Sequence, residues 1–455
     1  MNEKKQRITE NKMGVAPIWS LLLTMALPVI LSTIVQSLYN IVDGIYVSRI
    51  GEDALAAMTF GNPIINILTA VGTGIAVGMN TMLSRGLGEK NKKHVDDAAK
   101  TAIFLGLVAA ILCVIVAFTL IKPYLALQTD NKNIIDLGSS YLTVYVALGI
   151  GTIGQLMFER MLISTGKTMY SMISQGSGAV LNVILDPILI FGYFGFPAMG
   201  IKGAAYATVF SQIVATLIAL YLNVKKNKEI TIRFSLKPPI YAIKRVLYLG
   251  LPSALLLSLT GLMMFSFTAI LNRFTSSAVA VFGACTRIIS VFYSVVNALC
   301  STVMPVIAYN LGARKKERVD QAIKYGYLYS AALMLVGTIL CFGFPRQLLQ
   351  MFSATEEMMS IGIWGMRAMS CMFILVGLKN TSTCIIQALG HSFHSMAIDV
   401  SRNYVIMLPM AFALSMTGVL NLVWIAVPIA DIVSALIGLI LVLYFYKKNI
   451  KTMEV

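Results

Sequence analysis

Apolar stretches long enough to cross a bilayer follow one another almost without pause from residue 18 to residue 446. A transmembrane helix needs about 20 predominantly apolar residues. With 57% hydrophobic residues, 12% charged residues and a mean hydropathy of +0.79 across 455 residues, the chain has no room for a sizeable soluble domain. A soluble domain would carry about a quarter charged residues. The expected fold is therefore an all-α integral membrane protein of twelve transmembrane helices. The spans read as 18–46, 54–83, 98–122, 136–158, 169–192 and 200–223, then 246–271, 278–309, 324–345, 360–382, 396–417 and 421–446.

The net charge of +16 lies between and beyond these runs. Arg85, Lys90, Lys92 and Lys93 fall in the second loop, and Lys225, Lys226, Lys228, Arg233, Lys237, Lys244 and Arg245 in the sixth. Arg314, Lys315, Lys316 and Arg318 fill the eighth loop, and Lys447, Lys448 and Lys451 the C-terminal tail. Odd loops carry acids instead: Glu52, Asp53, Asp130, Asp136, Glu356 and Glu357. Basic loops stay in the cytoplasm, so both termini are expected there, in the cell (inner or plasma) membrane. The basic balance is explained by orientation, and no nucleic-acid partner is expected; the lipid bilayer itself is. The N-terminal MNEKKQRITENK leads into a long apolar run with no small-residue cleavage site, so that run is expected to stay as a span.

The chain repeats itself at an offset of 224 residues. LGEKNKKHVDDAAK from Leu87 matches LGARKKERVDQAIK from Leu311 at seven positions: Leu87, Gly88, Lys92, Val95, Asp96, Ala98 and Lys100. The same offset places Leu27-Pro28 on Leu251-Pro252, Gly166 on Gly390 and Ser171-Met172 on Ser395-Met396. Matches inside spans exclude a chance likeness of basic loops. Two six-helix parallel repeats follow, an N-lobe over 18–223 and a C-lobe over 246–446, joined by a cytoplasmic linker at 224–245 and flanked by tails 1–17 and 447–455. Such repeats face one another across a central cleft and favour alternating access. The absence of a nucleotide loop, a nucleophile motif or a histidine cluster argues against an enzyme and leaves an ion or substrate gradient as the driving force.

The six cysteines (Cys113, Cys285, Cys300, Cys341, Cys371 and Cys384) show no CxxC spacing and read as small packed residues. His391 and His394 read as a solvated loop pair, with no metal site expected.

Ionisable residues inside spans cost about 2.5–3.5 kcal/mol each on insertion scales and are functional candidates by default. Gln36, Tyr39, Asn40 and Asp43 share one region of the first span, with Gln36, Asn40 and Asp43 on a single helical face. Asn182 and Asp186 stand one turn apart in the fifth span, with Pro187 next, and Gln155 with Glu159, and Thr208 with Gln212, repeat that spacing. At the matching positions the second half has Lys379 for Gln155, Thr383 for Glu159 and Met410 for Asp186. Asp399 and Arg402, three residues apart, are expected to pair with each other near the cytoplasmic face. Pro28 and Pro252 suggest a helix bend common to both repeats.

The segment LPVILSTIVQSLYNIVDGIYVSRIGEDALAAMTFGNPI resembles the first span and following segment of the multidrug and toxic compound extrusion (MATE) family. NVILDPILIFG is similar to that family's fifth span and MGIKGAAYATVFSQ to its sixth. The likeness covers nearly the whole chain and lies closest to the branch named after DNA-damage-inducible members, within it to the staphylococcal-type multidrug pumps. It implies secondary active efflux of cationic amphiphilic organic compounds in exchange for H+ or Na+, with no other cofactor and a functional monomer. It further implies a cation site at Asp43, Asn182 and Asp186, with Thr208 nearby, and Na+ could occupy the first three; Glu159, an acid inside the fourth span, is a further candidate for cation coupling from the reading of the spans. Gln36, Tyr39, Asn40, Gln155, Gln212 and Lys379 are the matching candidates for the substrate cleft. The second-half acids that make a sodium site in some members have no counterpart in the seventh and tenth spans. The reading that follows has Asp43 and Asp186 sharing one coupling cation, whose uptake repacks the helix around Pro28 and expels the drug. A lipid-linked saccharide flippase of the same superfamily is the alternative; it would need a strongly cationic cleft, whereas the charges expected here are acidic.

Overall fold

A computed structural model of the chain describes residues 11–351 and 355–451, apart from the side chains of Asn40 and Ile41. All regular structure among the described residues is helical. The chain divides into two compact units.

The first unit takes in the described part of Met1–Val15 together with Leu27–Ser258. Its helices are α1 (Lys12–Val15), α2 (Ile18–Ser48), α3 (Glu52–Gly88), α4 (Lys92–Thr119), α5 (Ile121–Ala126), α6 (Lys132–Ala147), α7 (Ile150–Ser164), α8 (Thr168–Phe191), α9 (Ile201–Lys226) and the start of α10 (Ile240–Leu271). The second unit takes in Ala16–Ala26 and Leu259–Val455, as far as these are described. It contains the start of α2, the end of α10, and α11 (Ser276–Gly312), α12 (Lys316–Gly343), α13 (Pro345–Gln350), α14 (Glu356–Ser370), α15 (Phe373–Ala388) and α16 (Ser392–Val400). A π-helical stretch (Ser401–Met407), α17 (Leu408–Ser415), α18 (Leu420–Val423) and α19 (Ala426–Asn449) complete it. Among the described residues ten helices are long and apolar enough to cross a membrane; the bent pairs α6/α7 and α14/α15, at 41° and 44°, raise the number to twelve.

The 224-residue repeat is written into the backbone. Helices α3 and α11 both have 37 residues and α4 and α12 both have 28, each pair starting and ending 224 positions apart. The helix endings repeat as well. Lys90 and Arg314 both turn left-handed, at φ 53° and 54°, as do Gly166 and Gly390 at φ 80° and 89°. Each closes its helix with an amide reaching back five residues: Asn91 to Gly86, Lys315 to Asn310, Lys167 to Leu162 and His391 to Ile386. This hydrogen-bond pattern satisfies carbonyls that a helix end leaves open. The loops are shorter than hydropathy implies, because α3 continues through Arg85 to Gly88 and the linker shrinks to the residues between Lys226 and Ile240.

Each unit differs from its half of the sequence at one end. Residues 16–26 group with the second unit, where the Ala16 carbonyl accepts from Arg318 Nη2 at 2.6 Å and the Trp19 carbonyl from Tyr329 Oη at 3.0 Å. The start of α10 groups with the first. There its backbone meets that of α3: a Cβ on Gly250 would stand 1.9 Å from the Gly74 carbonyl oxygen, and one on Gly78 2.1 Å from that of Val246. Glycine at both places lets two apolar helices pack backbone to backbone, the usual route to tight association in lipid. Pro28 and Pro252 both lie inside helices that continue through them.

Candidate functional site

In the first unit the residues singled out on α2, α8 and α9 come together. Asp43 is 6% exposed and Asp186 fully buried. One turn before Asp186, the Asn182 amide Nδ2 donates to Asp186 Oδ1 at 3.2 Å and to Thr208 Oγ1 on α9 at 3.3 Å. Asp43 and Asp186 are close enough to interact electrostatically, and Tyr46 and Phe191, next along the same two helices, make an edge-to-face contact at 6.3 Å. Pro187 supplies no backbone N–H, so the α8 ladder opens one turn before it.

The hydrogen-bond inventory defines what this site can hold. Asp43 Oδ1, Asn182 Oδ1 and Asp186 Oδ2 are buried and have no hydrogen-bond partner among the described residues. Neither carboxylate forms a salt bridge there. Buried polar groups are normally paired, and a lone buried oxygen costs about 1–3 kcal/mol. Three unpaired acceptors on α2 and α8, two of them carboxylate oxygens, leave this part of the unit rich in negative charge and short of donors.

Around the acids stand residues that sequence spacing did not single out. Tyr141 and Tyr145 on α6 have ring centroids 6.0 Å apart. Tyr39 and Tyr141 are within electrostatic reach of both acids, and Tyr145 of Asp43. Gln212 links Tyr145 to α7: its Nε2 donates to Tyr145 Oη at 3.3 Å and its Oε1 accepts from Thr152 at 2.7 Å. Both tyrosines lie on α6 just before the 41° bend into α7; the signal in the sequence is their i, i+4 spacing before Leu148-Gly149, which tertiary structure alone makes meaningful.

Other candidates lie elsewhere. Glu159 accepts from Gln155 Nε2 at 3.1 Å and from Ser174 Oγ at 3.4 Å. Ser174 precedes Asp186 by twelve residues on α8, or about 18 Å at 1.5 Å per residue, so Glu159 does not share the Asp186 site. Gln36 accepts a hydrogen bond from Gln175 of α8. The Asn40 side chain lies outside the described residues. Lys379 is in the second unit, paired with Asp399.

The expected Asp399–Arg402 pair is not formed. Arg402 Nε instead meets Asp431 Oδ1 of α19 at 2.6 Å, because helices on either side of α16 offer partners that a single-helix reading omits. His394 is exposed and His391 half-buried, as expected of a solvated pair, and both also pack on Phe445, His391 stacked at 4.0 Å and His394 edge-on at 5.0 Å, with Asn449 Nδ2 3.0 Å from His391 Nε2. The cysteines are free thiols, with Cys285, Cys341 and Cys384 buried.

The second unit carries apolar residues where the first has the acids. Positions equivalent to Asp43, Tyr145, Asn182 and Asp186 are Phe267, Met369, Ile406 and Met410, all in or against one apolar core. Phe267, Phe282 and Trp424 fill it, with ring centroids 4.8–6.3 Å apart. The acceptor cluster is therefore a feature of the first repeat, not a requirement of the helix packing.

Comparison with known proteins agrees with this architecture. The chain is 29% identical over 398 residues to a FAD transporter of Shewanella oneidensis, covering 87% of this chain and 88% of that protein. It is 25% identical over 434 residues to the multidrug export protein MepA of Staphylococcus aureus, covering 94% of each, and 25% identical over 445 residues to the probable multidrug resistance protein YoeA of Bacillus subtilis, covering 96% of each. Among solved structures, an outward-facing multidrug resistance MATE family transporter of the MOP superfamily shares its fold, with a TM-score of 0.90 at 24% identity over 99% of this chain and 100% of that one. The MatE family profile matches residues 28–188 and 252–413, one stretch in each repeat, and the chain belongs to that family of multi-pass membrane proteins.

Proposed function

We propose that the chain is a secondary multidrug efflux antiporter that exports cationic amphiphilic organic compounds in exchange for H+ or Na+. The observation that carries this is the set of buried, unpaired acceptor oxygens on Asp43, Asn182 and Asp186, with Thr208 at its edge. Such a cluster is stable with a cation or proton bound and costly without one, so its occupancy biases the packing of α2, α8 and α9 between two states. A cationic drug favours the ionised acids, and the coupling ion neutralises them; the two therefore compete, which is what exchange requires. Relatives named as multidrug export and resistance proteins support the same substrate class. The distribution of Lys and Arg supports cytoplasmic termini in a plasma membrane, and two repeats within one chain support a monomer as the working unit.

The test is transport of a fluorescent cationic dye into liposomes under an imposed pH gradient, then a Na+ gradient. Movement driven by one gradient and abolished by its dissipation supports antiport and identifies the ion; no movement under either, by folded protein, removes the proposal. A second reading, transport of a flavin dinucleotide, draws on the Shewanella oneidensis relative and on two basic side chains within spans of the second unit, buried Lys379 and half-buried Arg402.

A further inference from the structure

Four charged residues are gathered within the second unit, apart from the site above. Lys379 on α15 pairs with Asp399 on α16, and Arg402, in the π-helical stretch, with Asp431 on α19. Lys379 is 6% exposed and Asp431 1%, whereas the Asp399 side chain is 19% exposed and is the open edge of the group. Two buried and two half-buried charges within spans are expensive, and well-packed apolar residues would hold three helices at least as firmly. The first repeat does without this charge set: its equivalents are Gln155, Gln175, Gly178 and Ala207. The π-helical stretch is also private to the second repeat, since the equivalent segment of α8 is regular α-helix. Wide turns of this kind mark functional places in helices.

The pairing can be rearranged in one step. Asp399 precedes Arg402 by three residues where α16 passes into the π-helical stretch, and its carboxylate is within electrostatic reach of the Arg402 guanidinium. Arg402 uses Nε for Asp431 and Nη1 for Asn403, at 2.6 and 2.8 Å. A guanidinium has five N–H donors, so it can accept the Asp399 carboxylate while keeping Asp431. Asp431 Oδ2 has no partner among the described residues and is open to a second Arg402 N–H as the fork turns.

Resting on the transporter reading, the geometry points to Lys379 as an anion-binding residue of the second repeat, held in reserve by Asp399. When Asp399 transfers to Arg402, the Lys379 ammonium becomes available to a phosphate or carboxylate on the transported molecule. The chain thereby takes substrates that carry an anionic group as well as a cationic or apolar body. The anion replaces Asp399 at Lys379, so no buried cation is left bare at any stage.

Binding of flavin mononucleotide and of riboflavin, which differ by one phosphate, is measured by flavin fluorescence anisotropy on detergent-solubilised full-length protein. Wild type should bind flavin mononucleotide about tenfold or more tightly than riboflavin, the factor of one charge-assisted hydrogen bond. K379Q alone leaves the Asp399 carboxylate without Lys379 and repelling an incoming anion, so the double variant K379Q/D399N decides: it should bind the two flavins alike. D399N, which frees Lys379, should widen the gap beyond wild type, a result that a purely structural ion pair would not produce. Equal affinities in wild type, including no binding of either flavin, or a gap that survives in K379Q/D399N, would overturn the assignment. Because no gradient enters this measurement, its failure is distinguishable from failure of dye transport.

Discussion

Replacing Asp186 by Asn should stabilise the protein while abolishing gradient-driven transport. The structure gives both directions. Asp186 is fully buried, its Oδ1 is satisfied by Asn182, and its Oδ2 has no donor. Every unpaired group around it is also an acceptor: Asp43 Oδ1 and Asn182 Oδ1. An amide at position 186 keeps the Asn182 bond, adds two N–H donors to a site that lacks them, and removes one of two neighbouring carboxylates. Relieving one or two unpaired oxygens contributes about 1–3 kcal/mol. For a unit of this size that is a rise in melting temperature of roughly 2–6 °C, at about 2 °C per kcal/mol. The assay is thermal unfolding in detergent, followed by intrinsic fluorescence without substrate, run beside dye transport in liposomes. The amide cannot be ionised, so exchange of drug for ion at this residue is lost. Strain held at a functional site and released by a disabling substitution is a known trade-off. A D186N protein that melts lower than wild type, or that still moves dye against a gradient, would refute the reasoning.

Two further substitutions test the scaffold. In G250A the new Cβ would stand 1.9 Å from the Gly74 carbonyl. Helices α3 and α10 must then separate by about 1.5 Å at a cost of about 1–3 kcal/mol, seen as a lower melting temperature; an unchanged one would mean the close approach is not real. F267A removes a fully buried ring that packs on Phe282 and Trp424 in the second unit. It should cost about 3–5 kcal/mol in thermal unfolding, and a loss below about 1 kcal/mol would show that this core is not the packed equivalent of the acid site.

Much of the fold was legible in the chain, because membrane insertion and internal duplication both leave direct marks. The offset seen at Leu87 and Leu311 gives the repeat and the Gly166–Gly390 correspondence, whereas the equal helix lengths and the left-handed endings at Lys90 and Arg314 show only in the backbone. Asp43, Asn182, Asp186 and Thr208 were also legible, since a polar group in an apolar span has few explanations. What remained hidden depends on neighbours distant in sequence. Tyr145 of α6 meets Gln212 of α9, 67 residues further on, a contact no local spacing shows. Arg402 chooses Asp431 over Asp399, 29 residues against three, because α19 packs alongside the π-helical stretch. Glu159 has the right residue type in the right kind of helix, and only the register of Ser174 on α8 shows that it lies about 18 Å from Asp186. Hydropathy likewise stops at Arg85, whereas the helix stops where the backbone turns left-handed at Lys90.

The central claim is that one buried acid cluster binds either drug or coupling ion. The most direct measurement is the affinity of purified protein for a cationic dye across pH and Na+ concentration, in wild type, D43N and D186N. Competition at a shared site makes dye binding weaken as pH falls, or as Na+ rises, with the reciprocal effect of dye on ion binding. The account predicts one of these dependences in wild type and its loss in both variants. A dye affinity that keeps the same dependence in D43N and D186N would place ion coupling elsewhere in the molecule.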